Sequence, residues 1–196
     1  MPDEEGETME TSDHKAALRR QVYALRREAH REGDAAALAA RDNALAAGLF
    51  EDARIVAGYR PIRTEIDPTP LMIALAEAGA RLCVPVIEGA GLPLAFREWT
   101  PATEMVEGAF GAEVPASGDW LTPEALIVPL VAFDGGGWRL GYGGGFYDRT
   151  LEGLRGAGGA LAVGYAYAAQ RVPAVPREPT DQPLDAVVTE QGVLRP

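Results

Sequence analysis

The sequence predicts an α/β fold of three layers, α/β/α, with a mostly parallel, Rossmann-like central sheet and a hairpin at its edge. Three observations carry this. Leu126–Phe133 is an apolar, β-branched run of strand length, as expected for a strand covered on both faces. Short apolar runs of the same kind alternate with helical segments along the chain. Seven glycines between Gly135 and Gly145 then separate the longest such run from a helix start near Phe146.

Taken in order, Ser12 or Asp13 can cap a first helix running to about Arg31, with Leu18, Val22, Leu25 and Ala29 as its apolar stripe. At ~100° per residue, Lys15, Arg19 and Arg26 lie along one border of that stripe. Asp34–Ala47 predicts an alanine-rich second helix stopped by Gly48. A strand over Ile55–Tyr59 leads to the loop Arg60–Asp67, and Asp67-Pro68 starts a helix that ends at Gly79. Arg81–Ile87 and Leu92–Trp99, joined through Gly89-Ala90-Gly91, predict the edge hairpin. Residues 101–121 read as an irregular crossing. After the glycines come a helix from Phe146 to about Leu154, a strand over Ala160–Tyr167, a proline-rich surface crossing from Arg171 to Pro183 and a last strand, Ala186–Thr189.

With 196 residues and 47% hydrophobic content, the chain can bury the core of one domain, expected over 13–196. Residues 1–12 are expected to be a disordered acidic tail, since over residues 1–13 Asp3, Glu4, Glu5, Glu7, Glu10 and Asp13 come with no base among them. The net charge of −11 argues against a nucleic-acid surface. No apolar run reaches membrane-spanning length and no secretory leader is visible, so a cytoplasmic location is expected; a monomer is expected as well. Cys83, the only cysteine, excludes an internal disulfide and a cysteine zinc cage.

A strand, a glycine loop and a helix start in that order suit an anion. The first helical amides lack internal partners, the helix dipole favours negative charge, and glycines let the backbone come close to it. Arg139 adds a fixed fork of donors. The stretch lacks GxxxxGK[ST], because no lysine follows Gly145, and the dinucleotide spacing counted from Gly141 places Phe146 where the third glycine should stand. The run RLGYGGGFYDR, Arg139–Arg149, with PLVAFD, Pro129–Asp134, before it, resembles the signature of the 5-formyltetrahydrofolate cyclo-ligases. The likeness extends from Lys15 to Glu190.

That resemblance implies an ATP- and Mg2+-dependent cyclisation of 5-formyltetrahydrofolate to 5,10-methenyltetrahydrofolate, releasing ADP and phosphate. It implies ATP contacts from Lys15 and Arg19, which match a K-x-x-L-R element, and from the loop Arg139, Leu140, Gly141, Tyr142, Gly143, Gly144, Gly145, Phe146 and Tyr147. Tyr147 and Arg139 are the catalytic candidates, for charge that develops on oxygen. Glu65, in a loop just after a strand end, matches a substrate-binding glutamate, and Arg60 and Gln170 join it as folate candidates. Asp148 and Asp181 match magnesium carboxylates. Gly144 stands where some relatives carry lysine, and Phe146 where tyrosine is common.

Each residue also has a plainer role. Asp148 can serve the helix dipole, Tyr147 can pack, Glu65 can be a solvated charge, and the basic border of the first helix can simply face water. A non-catalytic folate- or nucleotide-binding protein is the alternative from another class. A sugar-phosphate isomerase needs an acid–base pair that the sequence does not display.

Overall fold

A computed structural model describes residues 4–196. Helix α1 (Glu4–Ala29) passes through a 3-10 turn at His30–Glu32 into α2 (Gly33–Ala46). There follow β1 (Ile55–Ala57), α3 (Thr69–Glu77), β2 (Arg81–Val86), β3 (Ala95–Glu98), β4 (Met105–Glu107), β5 (Glu113–Pro115), β6 (Ala125–Pro129), β7 (Ala132–Phe133) and β8 (Arg139–Leu140). The chain closes with α4 (Phe146–Gly156), β9 (Leu161–Tyr165), β10 (Ala186–Thr189) and β11 (Gly192–Leu194).

The main sheet has seven strands in the order β11-β10-β9-β6-β1-β2-β3. From β10 to β2 every neighbouring pair is parallel, and β3 and β11 are added antiparallel at the two edges. The predicted α/β class and the β2–β3 edge hairpin are both present. From β1 the chain steps through α3 to β2 on one side, and it later enters β6 on the other side of β1. The order of the sheet therefore reverses between β1 and β6, where open α/β sheets leave a crevice at the carboxyl ends of their strands.

Alternation along each strand builds two apolar layers. Val56, Leu82, Val84, Ala125, Ile127, Val163, Ala186 and Val188 join Ala37, Ala40 and Ala44 of α2 and Leu71, Met72 and Leu75 of α3. Their sequence neighbours Ala57, Cys83, Leu126, Val128, Ala162 and Val187 face the opposite way, onto Leu151 of α4. Complete burial of Leu151 is worth about 1.5–3 kcal/mol and holds α4 on the sheet. A third cluster, Val22 with Val131, Ala132, Leu140 and Val175, fixes α1 against the β7–β8 hairpin.

Helix α1 is assigned from Glu4. Three features differ from the sequence reading. The apolar run Leu126–Phe133 is two strands, because β6 ends at Pro129, which has no amide to extend the ladder, and β7 turns to pair with β8. Residues 101–121 contain the small β4–β5 sheet. The strand β11 follows β10 through a tight turn in which Gly192 has φ 141°. Among the described residues no helix is long and apolar enough to cross a membrane.

Candidate functional site

Two loops rise from the carboxyl ends of β1 and β6, which lie side by side with Val56 opposite Ala125 and Ala57 opposite Leu126. The second loop is shorter than the glycine content suggests. Asp134 Oδ1 accepts from the amides of Gly136 (2.9 Å) and Trp138 (3.2 Å), so Gly135–Gly137 form the β7–β8 turn. The stretch that opens α4 is Gly141–Gly145. Gly143 and Gly145 have φ of 99° and 64°, a left-handed backbone that side chains resist. No described residue accepts from the amides of Gly143, Gly144 or Gly145. Free amides on alternating backbone at the start of an eleven-residue helix form a concave donor surface for an anion.

This loop meets the first one through Tyr142. Its hydroxyl donates to Oε1 of Glu65, which is 5% exposed, and the Ile62 amide donates to Oε2 at 2.8 Å. Burial raises the Glu65 carboxyl above its ordinary pKa, while the Ile62 amide, the Tyr142 hydroxyl and the charge of Arg26 oppose that shift. Arg26 reaches the same place from α1, donating to Tyr142 Oη at 2.6 Å and to Thr64 Oγ1 at 3.1 Å. A cavity of about 400 Å3 adjoins Glu65 and is bounded by His30, Asp34, Asp67 and Tyr167. A larger one of about 510 Å3, between Phe96, Trp120 and Leu154 on the other flank of α4, contains none of the residues singled out from the sequence.

The remaining charged candidates pair with one another. Arg139 Nη2 donates to Asp148 Oδ1 at 2.9 Å and its Nη1 to the Gln182 carbonyl at 2.5 Å, while its buried Nε has no partner among the described residues. The Gln182 amide also donates to Asp148 Oδ1, at 3.0 Å, which ties the neighbour of Asp181 to the start of α4. Lys15 Nζ lies between Asp181 Oδ2 (2.8 Å) and Glu178 Oε2 (2.9 Å). Burial opposes the Lys15 charge, but the hydrogen bonds to Asp181 and Glu178 outweigh it and raise the ammonium pKa. Arg19 Nε donates to the Gly141 carbonyl at 2.8 Å, so α1 borders the glycine loop.

Several candidates have structural duties. Leu140 is 2% exposed and packs against Val22, so only its backbone faces the loop. Phe146 and Tyr147 are half-buried against the α4-side layer, and burial pushes the Tyr147 phenol well above its usual range. Arg60 lies over the Trp99 ring at 5.7 Å with a buried Nε that has no partner among the described residues. Gln170 is 1% exposed; it donates to the carbonyls of Leu130 and Val131 and accepts from the Tyr167 amide. Those bonds stitch the end of β6 to the end of β9 and engage the Gln170 amide with buried backbone. The two sequence departures are linked: a Cβ at Gly144 would lie 2.7 Å from the Phe146 ring, so a side chain there requires the ring to move.

Arg26, Tyr23, Thr64, Glu178 and Gln182 complete these clusters without having stood out in the sequence as site residues. Of these, Arg26 alone carries a sequence signal, its place on the basic border of α1. The other contacts join positions far apart in the chain.

The family model described as the 5-formyltetrahydrofolate cyclo-ligase family matches residues 11–190. A protein of Mycolicibacterium smegmatis named 5-formyltetrahydrofolate cyclo-ligase is 35% identical, over 92% of this chain and 96% of its own. One of the same name from Escherichia coli is 40% identical, over 72% of this chain and 80% of its own. The solved structure of Aquifex aeolicus 5,10-methenyltetrahydrofolate synthetase superposes with a TM-score of 0.77 at 33% identity, covering 92% of each chain.

Proposed function

The chain belongs to the 5-formyltetrahydrofolate cyclo-ligase family, and on that premise we propose how its switch-point crevice performs the ATP-dependent conversion of 5-formyltetrahydrofolate to 5,10-methenyltetrahydrofolate. The observation that carries the assignment of roles is the bond from Tyr142 to Glu65, which brings the glycine loop and the loop after β1 into one place. ATP lies along Gly141–Gly145, its phosphate oxygens taking the free amides, with Lys15, Arg19 and Arg139 around them. Glu65, which lines the 400 Å3 cavity, accepts from the N–H groups of the pterin ring. Arg60, with an unpartnered Nε, is a further donor for the folate.

In the reaction the formyl oxygen attacks the γ-phosphorus and ADP leaves. The folate N10 then bonds to the former formyl carbon, the carbon–oxygen bond breaks, and the N10 proton leaves with the released phosphate. The folate supplies its own nucleophiles, so the protein has to align two ligands and stabilise transferred charge. Tyr147 donates to an oxygen on which charge develops, and Arg139 stands behind Asp148.

A magnesium ion fits the residues present. No described residue donates to Oδ2 of Asp148 or Oδ1 of Asp181, and the Gln182 amide ties Asp148 to the backbone next to Asp181. Among the described residues no group of three or more His, Cys, Asp or Glu could hold a metal ion; magnesium needs only one or two carboxylates with waters and phosphates. When bound, it would neutralise charge on the phosphate oxygens.

The test is to incubate the protein with 5-formyltetrahydrofolate and Mg-ATP, following methenyl absorbance together with ADP. One ADP per ring closed is expected. Ring closure without ATP would contradict the scheme.

A further inference from the structure

Arg26 is 1% exposed, and among the described residues no carboxylate forms a salt bridge with it. A buried guanidinium without a direct counter-charge is costly, so what compensates it is informative. Compensation comes from Thr64 Oγ1, from the Tyr142 hydroxyl oxygen, and from two ring faces, Tyr23 at 5.3 Å and Tyr142 at 5.6 Å. Tyr142 accepts from Arg26 and gives its own proton to Glu65, so the positive charge reaches the carboxylate through one hydroxyl. In such a chain each bond polarises the next. Tyr142 is 40% exposed and stacks on Tyr23 at 6.4 Å, a contact that keeps the ring in line.

We propose that Arg26 is a positioning residue that acts through the Tyr142 hydroxyl on Glu65 and sets the grip of that carboxylate on the folate. The proposal rests on the assignment of Glu65 to the folate given above. A carboxylate oxygen has room for more than one donor, so Oε1 can hold Tyr142 and a pterin N–H together. The relay fixes the plane of the carboxylate and favours its ionised form. Buried glutamate resists ionisation, and the Tyr142 bond and Arg26 charge both counter this. The other polar or titratable groups around Glu65 are Tyr59 at the end of β1, Tyr147 on α4, and His30, Arg31, Glu32, Asp34, Asp67 and Tyr167 around the cavity. The substitutions below leave all of them in place.

The experiment measures kcat/KM for 5-formyltetrahydrofolate against pH at saturating Mg-ATP, and KM for ATP separately, in wild type, Tyr142→Phe, Arg26→Gln, Arg26→Lys and Glu65→Gln. Tyr142→Phe is expected to raise the folate KM roughly three- to tenfold, to leave KM for ATP within about twofold, and to move the acid limb of the profile to higher pH. Arg26→Gln should act in the same direction, with Arg26→Lys recovering part of the loss. Because Arg26 is buried and its variants could fail to fold, the deciding substitution is the one at the half-exposed Tyr142. A wild-type folate KM and acid limb in Tyr142→Phe, beside a raised KM in Glu65→Gln, would overturn the relay and leave the Glu65 assignment standing. A lowered KM in Tyr142→Phe would overturn it by showing that the hydroxyl competes with substrate. A wild-type folate KM in Glu65→Gln would remove the underlying assignment itself.

Discussion

Arg139 and Asp148 form an ion pair at the start of α4, Nη2 to Oδ1 2.9 Å, with side chains 4% and 22% exposed. Asp148 therefore has two duties, as counter-charge to a buried guanidinium and as candidate ligand for magnesium. Asp148→Asn keeps an oxygen for the Gln182 amide but removes the charge. Turnover should fall roughly a hundredfold, and stability by up to about 3 kcal/mol because Arg139 loses its partner. Steady-state kinetics with a magnesium titration and a melting curve measure both. Unchanged turnover and magnesium dependence would leave Asp148 with only its structural duty.

Lys15 ties α1 to the crossing that precedes β10 through Glu178 and Asp181. If it also holds ATP, Lys15→Met loses a charge-assisted contact worth about 1.5–3 kcal/mol, and KM for ATP should rise roughly 10- to 150-fold with little change in the folate KM. A variant with a lower melting point and a wild-type KM for ATP would confine Lys15 to joining the two segments.

The glycines of the loop are not equivalent. Gly145 has φ 64°, and a Cβ there would lie 2.6 Å from Arg149 Nη1, whereas a Cβ at Gly141 meets nothing within 4 Å. Gly145→Ala should cost about 1–2 kcal/mol of stability through its left-handed backbone, and it should weaken ATP binding as well. Gly141→Ala should do neither. Isothermal titration with a non-hydrolysable ATP analogue compares the two, and equal affinities would mean that the nucleotide does not follow this backbone.

What can be read from the sequence follows from how local each cause is. The buried strands are legible because residues such as Leu82, Cys83 and Val84 feed both apolar layers, which yields continuous apolar runs. The β7–β8 turn is hidden because the Asp134 side chain turns a glycine triplet into a hairpin, and a glycine count does not show where such a cap falls. The structural duty of Gln170 is hidden because its partners, Leu130 and Val131, lie far away in the chain, between β6 and β7. Spacing alone places Arg26 on a helix border, but its meaning comes from Thr64 and Tyr142, which only the fold brings to it.

Glu65 gives a pH prediction with a definite sign. Its carboxyl pKa is raised above the ordinary 4.5, with burial as the largest cause, so the folded protein binds this proton more tightly than the unfolded chain. Such a group contributes stability that is fully present below the unfolded value and is lost as pH rises through the folded one. Glutamine is neutral throughout, and its amide oxygen can still accept from the Ile62 N–H. Glu65→Gln should therefore melt higher than wild type at neutral pH, and the gap should close as pH falls below the raised carboxyl value, even though the folate KM rises. Melting curves from pH 4 to 8 test this. A variant that melts lower than wild type at neutral pH would show that Tyr142, Ile62 and Arg26 stabilise the ionised carboxylate by more than burial costs it.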